Sequence, residues 1–111
     1  RLNGKVYPCP VSLAMDLVGG KWKAVILYHL QDGNKRFAEL HRHLLAATEA
    51  TLNRQLRQLE ADGLIYHTVF GEKPPLRSEY ALTDFGRSVV PVLNALMQWG
   101  NGIVAARGER V

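Results

Sequence analysis

The stretch that most constrains this chain is residues 48–63, TEATLNRQLRQLEADG. Leu52, Leu56 and Leu59 recur at helical spacing, and at about 100° per residue they fall on one narrow stripe while the other faces are polar. The spacing predicts a helix buried along one side only. Thr48 stands where a side-chain oxygen would cap the first free amides, and Gly63 where a left-handed residue would end the helix. Opposite the leucines lie Ala50, Asn53, Arg54, Arg57 and Gln58, a row without a carboxylate. Such a row suits a solvated face. That is the ordinary reading of a polar face, but the row could also meet phosphates and base edges, because Arg pairs with guanine and Asn with adenine in a major groove about one helix wide.

The surroundings of this helix help to choose. At 111 residues, 47% hydrophobic and 22% charged, the chain is expected to form one domain with a modest core. A formal charge of +4 and a pI near 9.5 favour a polyanionic partner only weakly, but five Lys or Arg against two acids lie between Lys35 and Arg57. No apolar run is expected to span a bilayer and no signal-peptide pattern is read, so a cytoplasmic protein without membrane contact is expected. A single cysteine excludes an intrachain disulfide, in keeping with a reducing compartment.

In chain order, residues 1–8 read as an irregular arm, and Cys9-Pro10 opens a helix that Gly19-Gly20 closes. A second helix begins near Lys21, with Trp22, Val25, Ile26, His29 and Leu30 on one face, and stops at Asp32-Gly33-Asn34. Lys35-Arg36 leads into a short third helix carrying Phe37, Leu40 and Leu44, and a brief connection reaches the Thr48 helix. Two short helices joined tightly, the second with a polar outer face, match a helix-turn-helix. Residues 65–70 are β-branched and aromatic enough for a strand, 71–78 form a Gly/Pro loop bearing Lys73 and Arg77, and 79–82 return. This hairpin is either a plain surface feature or a wing whose basic tip reaches phosphate. Thr83 then caps a last helix, within which Pro91 is expected to kink the axis. Its apolar residues spread over more than one side. That breadth is expected to serve a second chain, through residues 9–20 and 83–106, with Val11, Leu13, Leu17, Leu93, Leu96, Met97 and Trp99 at the contact.

Taken in order, CPV, LVGGKWKAVIL, RFAEL, LNRQLRQLEADGLI, the PP before SEYALTDFG, and PVLNALMQWG resemble the HxlR family of bacterial winged-helix transcriptional regulators, relatives of the MarR group. The resemblance runs from Cys9 to Gly100 and is most specific in GGKW, EYALT and QWG. It implies a mainly α fold with a small β-hairpin wing (α+β), a winged helix-turn-helix core over residues 21–82, and a homodimer made through its terminal helices. It implies also that paired recognition helices read double-stranded DNA at an imperfect palindrome, with half-sites about 34 Å apart. On this view Thr48, Ala50, Asn53, Arg54 and Arg57, with Lys35, Arg36, Lys73 and Arg77, contact DNA. The chain departs from the family at Ala47, where Ile is usual, at Ala50 beside Glu49, and at His67, where Arg is frequent.

Cys9 lies beside a helix N-terminus, whose dipole favours thiolate if the group is exposed; a buried, inert thiol is the alternative. Some HxlR regulators have a lone cysteine there that senses oxidants or electrophiles, which implies a redox role for Cys9. No His pair has the spacing of metal ligands, no Gly-rich phosphate loop follows a strand, and the Asp residues lie near helix ends. Neither a catalytic site nor a metal or cofactor is expected. Three classes of function stay open: a DNA-binding regulator, with or without a response to an electrophile or small ligand; a winged-helix protein-interaction module; and a ligand or redox sensor that does not read DNA.

Overall fold

The computed structural model describes residues 4–108. Helices α1 (Pro10–Val18), α2 (Lys23–Leu30), α3 (Phe37–His43), α4 (Glu49–Ala61), α5 (Asp84–Arg87) and α6 (Val90–Arg107) are joined by strands β1 (Lys35–Arg36), β2 (Ile65–Phe70) and β3 (Arg77–Leu82). The antiparallel sheet has the order β1-β3-β2, with Phe70 opposite Arg77 at the tip and Ile65 opposite Leu82 at the base. This is the winged helix-turn-helix, mainly helical with a small sheet.

Helix α2 lies at the centre, in contact with α1, α3, α4, α6 and β3. A helix surrounded in this way has no single apolar stripe. Leu27, off the face expected from the sequence, is wholly buried beside Ile26 and Leu30, and Val25 is exposed. Around it close Leu40 and Leu44 from α3 and its exit, Leu52, Leu56 and Leu59 from α4, and Leu64, Ile65 and Leu82 from the base of the sheet. Burying a leucine contributes roughly 1.5–3 kcal/mol, so this leucine cluster is the main source of stability.

Four expectations are corrected. Lys35-Arg36 is a strand rather than a bare connection, because β3 offers it an edge: Lys35 sits opposite Tyr80 and Arg36 opposite Glu79. The returning strand starts at Arg77, two residues early, which shortens the wing loop to 71–76. Thr83 caps only the four-residue α5, its hydroxyl accepting from Gly86 N–H at 3.0 Å. The chain then breaks, and Pro91 stands in the first turn of a separate α6, where proline loses no hydrogen bond and kinks nothing. This helix runs on to Arg107, and Gly108 ends it in the left-handed region at φ 67°.

The run Asp84–Arg107 has a mean hydropathy of 1.2 over an 18-residue window, enough by length and composition alone for a bilayer span, where none was expected. Only 6% of that window is buried. It is two helices rather than one, and its interior carries Asn94, Gln98 and Asn101. Of the irregular arm, residues 1–3 lie outside the described residues. The remainder is tied to α1, where Asp16 accepts from Tyr7 Oη at 2.7 Å and from Lys5 Nζ at 3.3 Å.

Candidate nucleic-acid interface

Both ends of α4 are held by local chemistry. The Thr48 hydroxyl accepts from Thr51 N–H at 3.1 Å, and its carbonyl takes Leu52 N–H at 2.9 Å. At the other end Leu64 N–H reaches Leu59 O and Gly63 N–H reaches Glu60 O, both at 3.0 Å, with Gly63 at φ 79°. That pair of bonds is a Schellman ending, and it needs the left-handed residue that Gly63 supplies. Before the helix, the turn from α3 is set by Ala47 N–H to Leu44 O at 2.9 Å. His41 Nε2 lies 2.9 Å from the Ala47 carbonyl, which can only accept, so this nitrogen carries the proton. Ala47 is buried with Leu52, so the small side chain still closes the helix entrance.

Leu52, Leu56 and Leu59 face the core, and Ala50, Asn53, Arg54, Arg57 and Gln58 are all exposed. Among the described residues, neither Arg54 nor Arg57 takes part in an ion pair. The helix therefore presents two unneutralised guanidinium groups, an amide and a small methyl on one outward face. Thr48 is partly spent, since its hydroxyl serves the cap.

The basic residues outside α4 are placed less uniformly. Lys73 is exposed on the wing loop. Arg77 is the first residue of β3, and its guanidinium lies over the Phe70 ring, 5.5 Å from the centroid. Arg36 is exposed opposite Glu79 on the neighbouring strand, and its backbone N–H donates to Glu39 at 3.1 Å, fixing the start of α3. Lys35 is the exception: its ammonium rests 3.0 Å from Asp32, and only 18% of its side chain is exposed. It is engaged within the fold by this pair.

Sequence reasoning missed the link between recognition helix and wing. His67 Nδ1 bonds the Glu60 carboxylate, joining β2 to α4, and a small cleft beside the pair is lined by Asn53, Arg57 and Tyr80. Burial and the Glu60 charge push the Tyr80 hydroxyl up, while Arg57 opposes them. The signal was present: Ile65 is buried, and along a strand His67, two residues on, shares its face.

The expected interface residues separate into two groups. Leu17 and Leu93 are 8% and 2% exposed within the single chain, so they are core residues with no surface left for a partner. Leu13 packs partly against the same core. By contrast Val11, Leu96, Met97 and Trp99 are 68%, 46%, 41% and 69% exposed. Along α6, Val92, Leu96, Trp99 and Ile103 recur at helical spacing and form a second apolar stripe beside the one that Leu93 buries.

Cys9 is exposed at the mouth of α1. The Ser12 backbone N–H, then the Ser12 hydroxyl 3.6 Å from the sulfur, then the Val11 N–H hold its thiol below the ordinary range. Within the single chain the thiol is therefore not buried. No group of three or more metal-ligating side chains occurs among the described residues.

The profile of the HxlR-like helix-turn-helix family matches residues 17–107. The HTH-type transcriptional regulator YybR of Bacillus subtilis strain 168 is 43% identical over 99 residues, 86% of this chain and 78% of its own. Among solved structures, the chain is similar to the redox regulator HypR in its oxidized form, with 42% identity and a TM-score of 0.80 over 85% of this chain and 96% of that one. It is equally similar to the HTH-type transcriptional regulator ytcD, with 41% identity, a TM-score of 0.81, and 87% and 98% coverage. Fold, sequence and outward helix face agree, and the chain belongs to the HxlR-like helix-turn-helix family of transcriptional regulators.

Proposed function

We propose that the protein binds double-stranded DNA as a homodimer, placing α4 of each subunit in successive major grooves of an imperfect palindrome and the wing loops beside the backbone. The observation that carries this reading is the outward row Ala50, Asn53, Arg54 and Arg57, free of acids and anchored from behind by three buried leucines. Arg54 and Asn53 read base edges, Arg57 sits where helix and wing converge, and Lys73 meets phosphate. The protein acts by binding rather than by turnover, in the compartment that holds the DNA. The apolar stripe of α6 is covered by its counterpart in the second subunit rather than by lipid.

A gel shift with the DNA upstream of the protein's own gene, run at two salt concentrations, tests this. Binding should weaken steeply with salt as counterions return to the phosphates. Arg54→Ala should lose roughly 1–3 kcal/mol of discrimination at one base position, while Lys73→Ala should weaken all sequences about equally. Equal losses from both would reject the groove assignment, and a salt-independent complex would favour the protein-interaction module.

The exposed, acidified thiol of Cys9 supports a second element of function, a response to oxidants or electrophiles. HypR, which this chain resembles, is described as a redox regulator. Alkylation of Cys9 with iodoacetamide should weaken operator binding, and Cys9→Ser should abolish the response. The same response in the Ser variant would refute sensing at this residue.

A further inference from the structure

A cavity of about 480 Å³ opens where the end of α2, the strand β1, the end of α3 and α6 meet. That volume falls in the range of small-molecule sites. Its wall is rich in donors and holds one carboxylate: Lys35, His29, His43, Gln31 and Asn94 line it, and Asp32 stands at the Lys35 ammonium. The imidazoles of His29 and His43 stack, with centroids 4.1 Å apart and planes 14° from parallel. Rings stacked in this way direct their lone pairs side by side rather than at one point, which does not suit a shared metal ion.

The charge balance of this cavity is unfinished. Burial first, then His43 and Lys35, disfavour a proton on His29, against the opposing pull of Asp32. From β1 the cavity receives Lys35, from α3 His43, from the turn after α2 Asp32, and from α6 the neutral Asn94. Asp32 is shared between Lys35 and His29, so a proton on His29 lacks a full counter-charge. An entering anion would supply one. The cavity also lies at the C-terminal ends of α2 and α3, whose terminal carbonyls favour a cation and oppose a bare anion, so the anion must enter together with a proton.

We propose that this cavity binds a small oxyanion, held by Lys35, Asn94 and the stacked His29–His43 pair, and that the pair takes up a proton as the anion enters. The site touches α6, which carries the exposed apolar stripe, and α2 and α3, which support the recognition helix. Describing the bound oxyanion as an effector of DNA binding rests on the proposed function; the binding itself does not.

The experiment therefore omits DNA. The full chain in chloride buffer is titrated calorimetrically with sodium benzoate and, separately, with sodium sulfate, at about pH 6 and about pH 8. Neither probe changes its charge over that range, so any pH dependence belongs to the protein. At least one should bind, roughly tenfold or more tightly at the lower pH, with uptake of a proton. Binding of benzoate alone identifies a planar carboxylate site, binding of sulfate alone a tetrahedral one, and binding of both a general oxyanion site. His43→Gln and Asn94→Ala, both at exposed positions, should each weaken binding about tenfold. The proposal is overturned if neither probe binds, if affinity is the same at both pH values, or if His43→Gln binds like the parent.

Discussion

The chemistry of single residues is concentrated in the histidines and Cys9 rather than in buried charges, for among the described residues no polar or charged side chain is fully buried. His29 gives a pH dependence whose sign is fixed. Its folded pKa lies below the ordinary 6.5, so the folded state prefers the neutral ring and binds fewer protons than the unfolded chain. This contribution is complete above pH 6.5 and is lost as pH falls through the depressed folded value. Asp16 and Asp32 are shifted down too, by Tyr7 and by Lys35, but their contributions persist until pH drops below 3.8. Urea midpoints measured in chloride buffer should thus decline between about pH 7 and pH 5, and His29→Gln should flatten that decline. An unchanged slope in the variant would assign it to another group.

At the level of elements, the position of α4 relative to the wing depends on contacts distant in sequence. Thr83 N–H donates to Leu64 O at 3.1 Å and its hydroxyl to Gly63 O at 2.6 Å, which binds the end of α4 to the start of α5. Gly86 closes the same junction. A Cβ there would lie 2.0 Å from the Leu64 carbonyl oxygen, far closer than a non-bonded carbon can approach. Gly86→Ala should therefore destabilise the fold by about 1–3 kcal/mol or more, and a thermal melt would reveal it. A midpoint equal to the parent's would mean that α5 moves freely from the sheet. The ends of α4 were readable from the chain because cap, leucine stripe and terminal glycine are all local. The junction with α5 was not, because nothing near Gly86 names its neighbour Leu64.

The whole molecule is more open than a compact monomer of its size. Its surface is 7667 Å², against about 6,100 Å² for a compact monomer of this mass. Its radius of gyration is 15.4 Å, against about 13 Å. Helix α6 is an 18-residue rod about 27 Å long that leaves Val92, Leu96 and Trp99 exposed, and Val11 and Met15 of α1 are exposed too. Pairing of two such surfaces should make the protein a dimer in solution. Leu96→Asp should shift it toward monomer in sedimentation velocity, and Leu93→Ala, at a core position, should lower stability by about 2–5 kcal/mol instead. Dissociation by Leu93→Ala with Leu96→Asp still dimeric would reverse the two roles.

Helices α3 and α4, the outward row on α4 and the hairpin after it follow from short-range pattern, since period, caps and turn residues act within a few positions of one another. The three-stranded sheet, the break before Pro91, the sorting of Leu17 and Leu93 into the core, the Glu60–His67 link and the stacked histidines do not. Each depends on which distant segment packs against it, and an apolar residue carries the same chemistry whether its own chain or another copy covers it. Only the folded arrangement distinguishes those two fates, because burial is a property of neighbours brought together across the chain.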